Sequence, residues 1–191
     1  LHQKMASFHM YTLSIIFSLI LLSPFSNGVF HEEMSDILAM NSRSQKTSHL
    51  HFYFHDILSG KNPSAIKIIS PGGGGIYGFG NTFICDDALT IGPNASTEVV
   101  GRAQGIYAMA SQSESALLMT MSFEFTQGKY NGSSISILGR NPFMRDVREM
   151  PIVGGTALFR FARGYALAHT FWFDANTGDA IVEYNVFVQH Y

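Results

Sequence analysis

From His49 to Tyr191 the chain falls into short runs in which apolar and polar side chains alternate, separated by Gly, Asn, Asp and Pro. The runs are HLHFYFHDI (49–57), AIKII (65–69), FGNTFIC (79–85), VVGRAQGIYAM (99–109), ALLMTMSFEF (116–125), GSSISIL (132–138), ALFRFARGYALAHTFWF (157–173) and AIVEYNVFVQHY (180–191). Alternation with period two sends successive side chains to opposite faces of an extended backbone, so each run is predicted to be a strand. Short strands at this spacing predict an antiparallel barrel or a sandwich. FTQGKYNGSSISI and FDANTGDAIVEY predict hairpins, because Asn and Gly accept the positive φ that tight turns require.

The first run places an acid on an apolar face. Leu50, Phe52, Phe54 and Asp56 share one side of the strand, and His49, His51, Tyr53, His55 and Ile57 share the other. A carboxylate buried without partners is costly, so Asp56 is either a strand-end residue escaping to solvent or part of an organised polar site. Arginines also interrupt β-rich stretches: Arg148 in DVREMPIVGG, and Arg160 and Arg163 in LFRFARGYA. A guanidinium cannot neutralise itself, so each must reach water or a carboxylate. Along 157–173, Phe159, Phe161, Arg163, Tyr165, Leu167, His169, Phe171 and Phe173 share one face, and Arg160, Ala162, Gly164, Ala166 and Ala168 the other. Small residues opposite aromatic ones fit a closed barrel wrapped by other copies of the chain, and a two-layer sandwich satisfies the pattern as well.

Upstream the pattern changes. A stretch beginning at Met5 has an apolar run from Leu13 to Leu22 and small residues near Ser26 to Gly28, which reads as a secretory signal, 5–28, better than as an anchor. Residues 1–4 precede the expected initiator and read as upstream sequence. Residues 29–48 are polar and mixed in charge, a mobile arm ahead of a single domain at 49–191. The one cysteine, Cys85, forbids an intrachain disulfide and sits in an apolar strand as inert core. In a secreted chain the sequons at Asn94 and Asn131 become candidate glycosylation sites, each in a turn-like stretch.

Charge and motifs then remove whole classes of function. A net charge of −2, with 12 Lys and Arg spread along the chain, gives no basic face for nucleic acid or an anionic membrane. The tract PGGGG (71–75) lacks the Lys-Ser/Thr and the helix of a phosphate loop, so it reads as a flexible loop. His49, His51 and His55 have the spacing of a solvated strand face, not of a metal site. With no Gly-x-Ser-x-Gly elbow, flavin motif or dinucleotide motif, neither a metal nor a cofactor is expected.

Seven collinear motifs carry a family resemblance: FYFHDI, GKNPSA, FGNTFICDDALT, VGRAQGIY, YNGSSISILGRN, VREMPIVGGTALFRFARGYA and TGDAIVEYNVFV. Together, over residues 49–191, they resemble the plant dirigent proteins. The resemblance implies an eight-stranded antiparallel β-barrel, secreted to the apoplast or cell wall, glycosylated and homo-oligomeric as a dimer or trimer, with a substrate cavity inside the barrel. Family members direct the coupling of phenoxy radicals from monolignols such as coniferyl alcohol, made by a separate oxidase, a laccase or a peroxidase. It further implies that Asp56 is a cavity acid, that Arg148 stabilises charge on a phenolic oxygen, and that Phe54, Tyr107, Asn141 and Arg163 contact the phenolic substrate. Asn141 stands where members resembling the pinoresinol-forming branch carry a second acid, and an amide neither donates nor accepts a proton near neutral pH. The same motifs also resemble the pterocarpan synthase branch, which dehydrates an isoflavanol through a quinone methide, a step one acid can serve.

Overall fold

The computed structural model describes residues 44–191. Nine strands follow in chain order: β1 Lys46–Asp56, β2 Ala65–Ile69, β3 Thr82–Thr90, β4 Val99–Met109, β5 Leu117–Phe125, β6 Ser133–Asn141, β7 Val147–Gly155, β8 Arg163–Phe173 and β9 Ala180–His190. Every neighbouring pair is antiparallel. From β3 to β9 the strands lie side by side in sequence order, and β1 closes the sheet by pairing with β9 along one edge and β3 along the other. The closed barrel therefore has eight strands, β1 and β3 to β9. Short β2 is a ninth, taking over the edge of β3 at residues 82–85 after β1 has used residues 88–90. Among the described residues no helix is long and apolar enough to cross a membrane.

Three segments depart from the alternation pattern. β7 is a full barrel strand that the run pattern omits, because Pro151 in its middle reads as a strand breaker. The proline sits beside a shift in the β6–β7 ladder, which ends at Ile152, and a ladder interruption is where a sheet tolerates a missing N–H. Residues 157–162 are not strand: Ala157–Phe159 form a 3₁₀ turn, and Ala157 and Phe161 take φ of 49° and 61°. The turn folds Phe159 into the barrel, where it is fully buried, and β8 starts only at Arg163. At the other end of the chain the arm is shorter than 29–48, since Lys46, Thr47 and Ser48 already pair with His190, Gln189 and Val188. The signal stretch 5–28 and the arm up to residue 43 lie outside the described residues.

Period-two alternation does set the interior. On β8, Ala166 and Ala168 face inward while Tyr165, His169 and Phe171 are exposed. On β1, Phe52 and Phe54 are buried. His55, expected on a solvated face, is instead buried against β3, its Nε2 lying 2.7 Å from Thr90 Oγ1. The end of the barrel holding Phe52 is solid. The Phe52 ring meets Phe123 edge to face at 5.3 Å and stacks on Tyr184 at 5.7 Å. Phe125, Phe159, Ile135, Val186 and Val188 fill the space below them. Burying one such side chain stabilises by about 1.5–3 kcal/mol. A polar plug closes this end: Tyr130 donates its hydroxyl to Ser48 Oγ at 2.6 Å, and Ser48 Oγ lies 2.9 Å from His190 Nε2.

Candidate functional site

At the opposite end the packing stops, leaving a cavity of about 290 Å³ open to solvent. It exists because the inward positions near this end carry polar or flexible side chains: Asp56 on β1, Tyr107 and Met109 on β4, Met119 on β5, Asn141 on β6 and Arg148 on β7. Phe54, Phe83, Val182 and Tyr184 supply apolar wall. Tyr107 is held by its ring, which stacks on Phe83 at 5.0 Å, and its hydroxyl donates to Asp56 Oδ1 at 2.9 Å. Burial, and then the nearby charge of Asp87, hold the Asp56 carboxyl well above the usual carboxylate range, although the bond from Tyr107 pulls the other way. The same environment raises the Tyr107 phenol, through its own burial first and then the Asp56 charge. Burial in a mostly apolar chamber thus favours the protonated form of Asp56.

Arg148 enters from the other wall. It is 2% exposed, and its Nε–H donates to Asn141 Oδ1 at 3.1 Å while Nη1 reaches the Arg145 carbonyl at 3.5 Å. An amide oxygen and a main-chain oxygen hold it, it makes no ion pair with a carboxylate among the described residues, and it lines the cavity that opens to solvent. Burial lowers its pKa, yet a guanidinium stays charged at neutral pH. Arg148 is therefore a positive group with donors to spare, lining the same chamber as Asp56. This answers what Asn141 does where a second acid is implied: it orients the cation and adds no proton chemistry.

The mouth comes from loops. Tyr77 and Phe143, from two different connections, and Phe173, the last residue of β8, approach one another with ring centroids 6.1–6.3 Å apart. Tyr77 is placed by the glycine tract, where residues 72–75 all take positive φ, from 97° down to 60°, a course open only to glycine without strain. The tract ends in a fixed turn and is not simply a flexible loop: the buried Asn81 amide donates to Gly75 O at 2.7 Å and Ile76 O at 3.1 Å. Beside the rings, His169 Nδ1 lies 3.0 Å from Asp146 Oδ1.

Of the residues named from sequence, Asp56, Phe54, Tyr107, Asn141 and Arg148 all line this one cavity. Arg163 does not. It is exposed at the solid end of the barrel, where its Nε–H donates to Gln189 Oε1 at 3.2 Å. Arg160 is exposed too. Asn94 and Asn131 occupy exposed turns, and Cys85 is buried with its thiol pointing at Met121 Sδ, 3.5 Å away. Sequence reasoning missed Tyr184, although period two along β9 puts it on the inner face with Val182 and Val186. It also missed His169 on β8, and Tyr77, Phe143 and Asp146, which loop geometry brings to the mouth.

Comparison with known proteins places these features in context. The profile of the Dirigent-like protein family matches residues 47–189. Pterocarpan synthase 1 of Glycine max is 47% identical over 182 residues, covering 94% of each chain. Dirigent protein 21 of Arabidopsis thaliana is 49% identical over 150 residues, covering 78% of this chain and 79% of that one. A solved pterocarpan synthase dirigent protein is 50% identical and superposes with a TM-score of 0.75, covering 78% of this chain and 88% of that structure.

Proposed function

The chain belongs to the dirigent family, and from that premise we propose that it acts as a dehydratase on a hydroxylated phenolic of the isoflavanol class, working through a quinone methide. The observation that carries this reading is the pairing, in one chamber, of a buried carboxyl whose protonated form is favoured, Asp56, with a buried guanidinium that makes no ion pair among the described residues, Arg148. Asp56 gives its proton to the leaving hydroxyl, which departs as water. The substrate's phenolic proton replaces the one Asp56 donated, and Arg148 stabilises negative charge as it builds on that phenolic oxygen. Ring closure by a second phenol hydroxyl transfers its proton to the quinone oxygen, so the net change is loss of one water. The chiral wall of Phe54, Phe83, Tyr107 and Tyr184 fixes which face is attacked.

The size of the cavity supports a one-molecule reaction. At about 290 Å³ it lies at the small end of the range of about 300–1,000 Å³ typical of small-molecule sites. Coupling of two phenoxy radicals from a separate oxidase is the second reading, favoured by dirigent proteins of similar identity among the relatives. Incubation with an isoflavanol and no oxidant separates the two. Ring-closed product of one handedness is expected. No product there, together with enantio-enriched lignan from coniferyl alcohol plus a one-electron oxidant, overturns the dehydratase reading.

We propose further that the protein works in the apoplast as a self-associated, glycosylated barrel. Exposed turns at Asn94 and Asn131 suit glycans. Ile66, Ile84, Ile106 and Leu138 line up across β2, β3, β4 and β6 through the register, with Thr120 between the last two, forming an exposed apolar row suited to a second copy.

A further inference from the structure

Behind the cavity wall lies a second carboxyl that the chemistry above does not use. Asp87 points inward from β3, between Cys85 and Leu89, and is fully buried. No donor among the described residues reaches either of its oxygens in hydrogen-bond geometry. The two polar hydrogens beside it are committed elsewhere: Ser64 Oγ accepts from Ile57 N at 3.2 Å and donates toward His55 O at 3.4 Å, and the Cys85 thiol points at Met121. Such a group destabilises the fold, and a side chain with a better-packed neutral alternative that nevertheless carries charge marks a site under functional constraint.

Its position follows from strand register. Where β1 meets β3, Tyr53 faces Thr90, Phe54 faces Leu89 and His55 faces Ala88. The ladder stops there. Continued by one residue, the same register sets Asp56 opposite Asp87, where directly opposed side chains approach to about 5 Å between Cβ atoms. Two like charges at that spacing cannot both be sustained away from water. The surrounding charged and titratable groups are Asp56 from β1, Cys85 and the outward Asp86 from β3, Tyr107 and the outward Arg102 from β4, and Tyr184 from β9. Arg102 is bound to Asp86, its Nε–H donating to Oδ1 at 2.8 Å, so it does not answer Asp87.

We propose that Asp87 is a positioning residue for Asp56: the two carboxyls, opposed where β1 and β3 part, hold one proton between them, and Tyr107 fixes where it sits by occupying Asp56 Oδ1. The proton then rides on Asp56 Oδ2, the oxygen left for substrate. Asp87 never touches substrate. Its charge keeps Asp56 an acid at a pH at which an isolated surface aspartate has long ionised. Burial supports this arrangement by pushing the Asp87 carboxyl up to about 6. The role rests on the proposed delivery of a proton by Asp56, while its test needs no substrate.

Carboxyl-detected ¹³C NMR of the folded protein, with pH titration in wild type and Asp87→Asn, reads the pair directly. The Asp56 midpoint is expected to fall by one pH unit or more in Asp87→Asn, and any alkaline limb of turnover moves down by the same amount. An Asp56 midpoint unchanged in folded Asp87→Asn overturns the proposal, since a purely structural Asp87 would alter melting temperature and leave that midpoint alone. Should Asp87→Asn fail to fold, the wild-type titration decides: the two carboxyls must ionise in two separate steps, Asp87 first and Asp56 at higher pH, and an Asp56 that ionises at or below the Asp87 midpoint overturns the pair. A shifted midpoint in a protein that does not dehydrate an isoflavanol supports the proton pair and removes only the reaction assigned to it.

Discussion

On β1 the five residues from Phe52 to Asp56 cross between two kinds of interior. Phe52 is enclosed by the rings of Phe123, Phe125 and Tyr184 at distances of 5.3–6.1 Å. Asp56, on the same face of the same strand, meets a tyrosine hydroxyl, a second acid and an open chamber. Both ends obey the same alternation, so the backbone treats them alike. What differs is whether inward side chains are large and apolar enough to fill the space. The solid end supplies the cohesion that lets the hollow end keep a buried acid with a raised pKa, a cation without an ion pair among the described residues and an unpartnered buried carboxyl, each destabilising by itself.

The solid end is the place to break this division first. Phe123→Ala removes a ring that is fully buried between Phe52 and Tyr184. A cavity of that kind destabilises by about 3–5 kcal/mol. The urea midpoint should fall accordingly with an unchanged slope, while molecules that remain folded keep their product handedness. A variant of full stability would show that the solid end does not hold the barrel together.

At the hollow end the expected loss is in turnover. Asp56→Asn keeps the size of the side chain and an oxygen for Tyr107 to donate to, but removes the proton. Turnover should drop by about 10²–10⁴-fold, the usual contribution of a positioned acid. Melting temperature should hold or rise, because a poorly compensated carboxyl has been replaced by a neutral group. Lower melting temperature with unchanged product ratio would mean that Asp56 is a structural group.

How far each half can be read from the sequence follows the same line. The solid end is legible, because Phe52, Phe123, Val186 and Val188 repeat at period two in uninterrupted runs. The acid was legible as well, since Asp56 breaks that period on an apolar face. Pro151 hid β7, because a proline reads as an interruption unless the neighbouring ladder is seen to lapse beside it. The linear pattern carried 157–162 into β8, because nothing in alternation marks the backbone reversal at Ala157 and Phe161. Asp87 stands in the motif FGNTFICDDALT with nothing in the linear pattern to mark it, for its meaning depends on a cross-strand partner, and alternation describes one strand at a time. The mouth residues Tyr77 and Phe143 depend on loop courses that no periodicity specifies.

A smaller effect is expected from pH. Asp87 titrates near 3.8 in the unfolded chain and at about 6 when folded, so between those values the folded state holds the extra proton. Stability therefore declines as pH rises through that window, and the contribution is complete above it. Asp56, raised in the same direction, adds to the decline. Burial lowers the pKa of His55, which works in the opposite sense by losing stability as pH falls below about 6.5. Asp86, held low chiefly by Arg102, acts below the window. Comparing wild type with Asp87→Asn cancels His55 and Asp86. The variant should gain about 1–3 kcal/mol on wild type between pH 4.5 and 7. A constant difference across that range would mean that Asp87 is not protonated in the fold.

The smallest effect is predicted for Arg163, the residue of the sequence-derived set that the fold sends to the wrong end. On β8 the side chains reaching the cavity are His169, Thr170 and Phe173, so Arg163 lies six residues from the nearest of them. At about 3.3 Å per residue that is roughly 20 Å along the strand, beyond the reach of any side chain. Its contact with Gln189 is a single exposed hydrogen bond. Arg163→Ala should therefore change stability by no more than about 0.5 kcal/mol, the usual range for such surface positions. Turnover and product handedness in a chiral chromatographic assay should stay within twofold of wild type. A tenfold loss with an unchanged melting temperature would require Arg163 to act on another copy's mouth. The division between a solid end and a reactive end would then hold within one barrel and fail in the assembly.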